Sequence, residues 1–313
     1  MRRLVRIGVV VIVLAAVLIW AFRPAPVPAD FAAVERGVLQ VTVTEEGHTR
    51  VRDRFVISAP VPGRMQRIEL EPGDPVVAGK TVVARFAPTD PGLLDVRTRA
   101  ELEIARAGLV QTRSGRTNAI PLYSPVTGVV LRRLQESETI VPTGQPLIEV
   151  GDLANLEIVA DLLSSEAVKV EAGQPVVVEQ WGGDRPLEGR VRRVEPSGFT
   201  KISALGVEEQ RVNVIVDIEN RPQDLGDGYR VEIRVVVWSR DNVLKIPTSS
   251  LFRSGSDWAV YKVAEDKAVR QIVTVGQRND LEAEVLSGLS EGERIVVYPS
   301  DAIQEGITLT PRS

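Results

Sequence analysis

Residues 59–83 (APVPGRMQRIELEPGDPVVAGKTVV) and 124–148 (SPVTGVVLRRLQESETIVPTGQPLI) match without a gap at an offset of 65 positions. Seven positions are identical: Pro60/Pro125, Val61/Val126, Gly63/Gly128, Arg67/Arg132, Glu71/Glu136, Val76/Val141 and Gly79/Gly144. The punctuation is what repeats. Each copy has a Pro-x-x-Gly turn, a short alternating strand and a second turn (Pro72-Gly73-Asp74-Pro75 in the first copy). A Val-x-x-Gly-x-x-[Val/Leu] step follows, around a Gly able to take positive φ. Short strands between such turns make a small β sandwich. A copy of about thirty residues cannot bury its own apolar face, so the two copies are expected to close into one domain. Val76 and Val141 should then share a core.

Composition narrows the chemistry. The chain has 313 residues, 43% hydrophobic and 26% charged, an ordinary globular balance and enough for two or more domains. A net charge of -4 argues against a nucleic-acid partner. With no Cys there are no disulfides, thiolate nucleophiles or Cys-type zinc sites, and one His, His48, is the single candidate for an imidazole base.

The amino terminus reads MRRLVRIGVVVIVLAAVLIWAFRPAPVPAD. Residues 4–22 would form a helix of about 28 Å, close to the hydrocarbon thickness of a bilayer. Arg2, Arg3 and Arg6 before it place the amino terminus in the cytoplasm, and Trp20 suits an interfacial anchor. A cleaved signal peptide is the competing reading, but no small-residue cleavage site follows the apolar run. Pro24, Pro26 and Pro28 are expected to form a stiff spacer. The rest of the chain is then exported.

Between the repeat copies, Asp90-Pro91 reads as a helix start, with Leu93, Val96, Ala100, Ile104 and Ala107 forming one apolar stripe. Ser114-Gly115 should end it. Downstream, alternating segments at 156–160, 176–179, 189–194, 212–216 and 231–237, separated by turn clusters, predict a closed or nearly closed β barrel. One short helix is expected at Ser165–Val170 with Ser164 as N-cap. Further strands are expected at 243–247, 258–263, 271–275 and 294–298, and at Leu39–Val43.

No constellation supports catalysis. Glu45-Glu46-Gly47-His48 sets a base beside carboxylates without a nucleophile and reads as a solvated strand edge. Asp224, Asp227 and Glu232 lack the ligand spacing of a calcium loop and read as a turn. Phosphate and dinucleotide fingerprints are absent. Trp181 and Trp258 are expected to pack in cores. The chain is therefore read as a non-enzyme with no catalytic, cofactor or metal site.

The repeated half-motifs resemble those of a biotinyl-lipoyl domain split by an insertion, as in membrane-fusion, or periplasmic adaptor, proteins of the HlyD type. True carriers join their halves at a tight turn bearing a Lys beside Met; here some thirty residues intervene and no Met-Lys pair exists. Biotin or lipoate on a Lys such as Lys80 is therefore not expected. The resemblance implies a mainly β chain arranged as follows. An anchor and spacer occupy 1–30, and 31–54 supplies strands to a membrane-proximal domain. The lipoyl-like halves are 55–88 and 120–152, around a short helical insertion at 89–119. A β-barrel domain spans 153–239, and the membrane-proximal domain is completed by 240–313. It also implies a single-pass inner-membrane protein of a Gram-negative envelope with its body in the periplasm. Its partners would be an inner-membrane transporter, either an ATP-driven permease or a proton-driven pump, and further copies of itself in a hexameric ring. The family's insertion is a long helical hairpin reaching an outer-membrane duct. Here it is short, by nature or by deletion, and lacks the family's Arg, Leu and Ser arrangement at the tip, which counts against a duct as partner. The alternative is a membrane-anchored binding or regulatory module of a transporter.

Overall fold

A computed structural model describes residues 26–88 and 119–312. The expected span at 4–22 and nearly all of the insertion at 89–119 lie outside the described residues. The chain divides into two compact units, one from Met1–Val43 with Val236–Ser313 and one from Thr44–Val235.

In the second unit the two repeat copies interleave. One four-stranded sheet runs Arg54–Ser58, Pro146–Gly151, Gly128–Arg133, Pro75–Val76; the other runs Ile120–Tyr123, Val82–Pro88, Gly63–Met65, Thr139–Val141. Moving each strand of the first sheet by the 65-residue offset, forward or back, gives the order of the second, so each sheet takes two strands from each copy. The register obeys the same relation: Gly63 pairs with Val141, and Gly128 with Val76. Met65 and Phe86 of one sheet pack with Val130, Ile148 and Val150 of the other, and Val76 and Val141 lie in this same buried cluster.

The repeated glycines have distinct jobs. Gly63 and Gly128 permit close approach: a Cβ would lie 2.5 Å from the Ala87 oxygen at Gly63 and 2.2 Å from the Gly151 oxygen at Gly128. Gly79 and Gly144 take φ of +66° and +79°, and each donates its amide across the copies, to Ser124 O and Ala59 O respectively.

The rest of this unit is a barrel. Strands Pro175–Glu179, Leu187–Ile202, Glu208–Ile218, Leu156–Leu163, Glu35–Val51 and Arg230–Pro247 pair in that order, and the last returns to the first. Alternating burial follows the period of two, with Val176, Val178, Val231, Ile233 and Val235 buried. The short helix is Ser164–Ala167, and its N-cap position is Leu163, the last residue of a strand, with no side-chain cap. Ser164 is thus inside the helix, because the strand runs directly into it. The hairpin joining Leu187–Ile202 to Glu208–Ile218 is exposed almost throughout residues 196–210, with Ile202 at 68% and Leu205 at 92% exposure.

Arg230–Pro247 runs without a break through 239–240, and Glu35–Val51 likewise continues past Val43. The boundary expected at 239–240 falls inside a strand. No glycine or proline interrupts residues 231–246, and the chain turns only locally at Asn242, whose φ is +56°.

The first unit is also β. Val27–Ala33 pairs antiparallel with Arg294–Val297 and parallel with Leu309–Pro311. The proline-rich spacer therefore ends earlier than expected: Pro28 is already a strand residue opposite Thr310. Val34, Ile246, Val260, Val273, Val285 and Ile295 form one core. Strands Phe252–Ser254, Glu282–Ser287 and Leu309–Pro311 were not anticipated.

The close approach at Gly128 yields a stability prediction. Gly128→Ala is expected to cost about 1–3 kcal/mol by overpacking against Gly151 backbone. Gly144→Ala, which meets no neighbour but sits at positive φ, should cost about 1 kcal/mol. Thermal melting by circular dichroism reads both, and equal losses would contradict the close-approach account.

Candidate functional site

The residues singled out for chemistry do not assemble a reaction centre. His48 and Glu46 are exposed, Glu46 pairs with Arg230, and Glu45 lies 3.3 Å from Arg211. Their strand is not an edge: Gly47 and His48 pair with Ala160 and Val159. Lys80 is exposed in the Val77–Thr81 turn. Trp258 packs against the core of the first unit and carries Arg253 over its ring at 3.9 Å. Trp181 instead covers its own turn, donating to Arg185 O and lying against Gly183, so it is not a core residue. Among the described residues no three His, Cys, Asp or Glu side chains converge on a metal-sized site.

What the structure does build is a polar junction between sandwich and barrel, inside the second unit. The chain passes from barrel to sandwich at Val51–Arg54 and returns at Gly151–Leu156. Beside this crossing lies a cleft of 660 Å³ lined by His48, Arg50, Arg54, Arg132, Leu153 and Tyr229 among others. Thr49, fully buried, pins the Gly226–Tyr229 loop. Its hydroxyl donates to Gly226 O at 2.6 Å and accepts from the Tyr229 amide at 2.8 Å, while its carbonyl accepts from Gly228 N. Asp227, held in this loop, accepts from the Val51 amide at 2.8 Å and from Arg54 at 2.7 Å. Arg54 also faces Glu149 of the sandwich at 3.5 Å, and Glu149 accepts from Arg132 at 2.8 Å.

A second cluster braces the barrel wall beside the crossing. Strand register sets Arg50, Glu157, Asp217 and Arg190 in one row across four strands. Glu157 is 2% exposed and takes hydrogen bonds from Arg50 and Arg192, with Arg52 at 3.6 Å. Arg52 also pairs with Asp217 at 2.6 Å. Burial alone would push the Glu157 carboxyl upward, but the hydrogen bonds and charges of Arg50 and Arg192 outweigh it and hold the group below its ordinary value. The sequence offered one signal for this. Arg50, Arg52 and Arg54 recur at period two, which in an extended chain aims three guanidiniums to one side and demands acidic partners. Neither Glu157 nor Asp227 as the partner was legible.

The comparisons with known proteins agree with this fold. Residues 243–310 match the family model "YknX, C-terminal permuted SH3-like domain". The efflux system component YknX of Bacillus subtilis is 23% identical over 206 residues, covering 63% of this chain and 53% of that protein, so the chain spans about half of that relative's length. The pyoverdine export membrane fusion protein PvdR of Pseudomonas aeruginosa is 22% identical over 354 residues, covering 87% and 90%. Among solved structures, MacA from Actinobacillus actinomycetemcomitans superposes with a TM-score of 0.63 at 19% identity, over 86% of this chain and 99% of that one. These relatives are named as an efflux system component and an export membrane fusion protein, and the fold is the one seen in MacA. The resemblance carried by the split half-motifs is the one these relatives return.

Linkage sets the expected behaviour of Glu157. A carboxyl whose folded-state value is depressed stabilises the fold above the ordinary value of 4.5 and loses that contribution as pH falls through the lowered value. Glu157→Gln leaves the three arginines facing an uncharged amide, and the expected loss near neutral pH is about 3 kcal/mol. Urea unfolding followed by tryptophan fluorescence measures it. The gap between wild type and variant should shrink as the medium becomes more acidic than pH 4.5; a gap constant with pH would mean the side chain acts by packing alone.

Proposed function

We propose that this protein is an inner-membrane-anchored periplasmic adaptor that couples an inner-membrane transporter to export across the envelope. The observation that carries this reading is the out-and-back course of the chain. Everything from Thr44 to Val235 is a single excursion between the two strands that complete the first unit, and within it lies a sandwich made from two separated copies of one half-motif. The excursion begins and ends in that unit, whose first strand follows the predicted span by a few residues. Such a series of small β modules suits mechanical relay better than chemistry. The printed names of YknX, an efflux system component, and PvdR, an export membrane fusion protein, support export as the process. The chain acts as a scaffold without catalytic, cofactor or metal chemistry, and assembles with further copies of itself in a ring, hexameric by family resemblance.

A second reading keeps the anchor and the body but removes the outer-membrane contact: a binding or regulatory module of the transporter. The 31 residues between Pro88 and Ile120 favour it, since they leave little chain for a long arm.

Two measurements test the proposal. Deleting residues 4–22 behind a cleavable export signal should move the protein from the membrane to the soluble periplasmic fraction. In vivo crosslinking of the full chain, followed by purification and mass spectrometry, should recover an inner-membrane transporter. Recovery of self-adducts alone would refute the coupling role. Restored export in cells lacking their own adaptor would favour the first reading over the second.

A further inference from the structure

We propose that Asp227 and Arg54 form a latch that fixes the angle between the sandwich and the barrel. The two modules are joined by two chain crossings only, and the backbone tie between them near the junction is the Arg52 amide to Asn155 O at 2.9 Å. The crossing segments, a bend at Arg52–Asp53 and a short 3-10 turn at Leu153–Asn155, carry no strand ladder, so the angle must be set by side chains. Among the described residues, Arg54–Asp227 is the ion pair that links a sandwich strand to a barrel loop; the others at this junction stay within one module or the other.

Both ends of the link are rigid. On the barrel side, Thr49 holds the Gly226–Tyr229 loop by side-chain and backbone bonds, and the Val51 amide orients the Asp227 carboxylate through its other oxygen. On the sandwich side, Glu149 is 10% exposed in a central strand, is oriented by Arg132 and lies 3.5 Å from the other end of the Arg54 guanidinium. Arg54 therefore bridges two anchored carboxylates, one in each module. At 29% and 17% exposure, Arg54 and Asp227 are screened less than a surface pair. The adjoining 660 Å³ cleft gives the sandwich room to swing once the bridge opens. The latch rests on this geometry alone and holds whether or not a transporter is the partner.

The absence of Cys makes the test direct. Ser137→Cys in the sandwich and Ser197→Cys in the barrel, both exposed, are spin-labelled in the full chain, and their separation is measured by pulsed electron resonance. The parent should give one narrow distance distribution. Asp227→Ala and Arg54→Ala should each shift and broaden it, and the double variant should broaden it no further than either single change, because the pair acts as a unit. Arg64→Ala, which removes an exposed pair within the sandwich, is the control and should leave the distribution unchanged. Asp227→Asn keeps an acceptor for Val51 while losing the charge, and it carries the test if the alanine variant fails to fold. It too should broaden the distribution. A parent-like distribution in Asp227→Asn, additive broadening in the double variant, or equal broadening in Arg64→Ala would each overturn the latch.

Discussion

The sandwich depends on a single constraint: neither half-motif has enough strands to cover its own apolar face. Covering is achieved by exchange, each sheet borrowing two strands from the other copy. Exchange in turn demands matched register, because a slip by one residue would turn Val76 or Val141 from core to solvent. The glycines police that register. At Gly63 and Gly128 the neighbouring strand comes too near for any side chain, and the same backbone crowding recurs at both positions because both copies meet their neighbours in the same way.

The contacts between modules have a different character from those within them. Inside, the sandwich holds together through a buried cluster of aliphatic residues with Met65 and Phe86. At the crossing to the barrel the cohesion is ionic and hydrogen-bonded, through Thr49, Arg54, Glu149 and Asp227. Apolar packing would tolerate many angles, whereas a guanidinium held between two fixed carboxylates accepts few. Charges at such a place contribute orientation more than stability, since desolvation offsets much of their attraction.

How much of this was legible follows from the range of each interaction. The repeat announced the sandwich, because strand exchange leaves identical punctuation in both copies. Alternating residues at 176–179 and 231–237 announced the barrel, because period two is a local property of a half-buried strand, whereas 156–160 is buried on both faces. Partners distant in sequence were not legible. Asp227 meets Arg54 across 173 positions and Glu157 meets Arg50 across 107, and nothing in a turn rich in glycine says which arginine it will meet. The continuous strand Arg230–Pro247 shows in the sequence as two segments because it serves both units. The edge strand Leu309–Pro311 was missed because three residues containing a proline carry too little pattern.

The first and last strands of the body lie side by side in the same direction, Val27–Ala29 along Leu309–Pro311, with Asp30 joined to Arg312. Val27–Ala33 also has Arg294–Val297 on its other flank. A force directed along Val27–Ala33 would load the ladder bonds on both flanks together. The first strand of the body is thereby secured by bonds that must break in concert rather than one by one, the geometry that resists tearing.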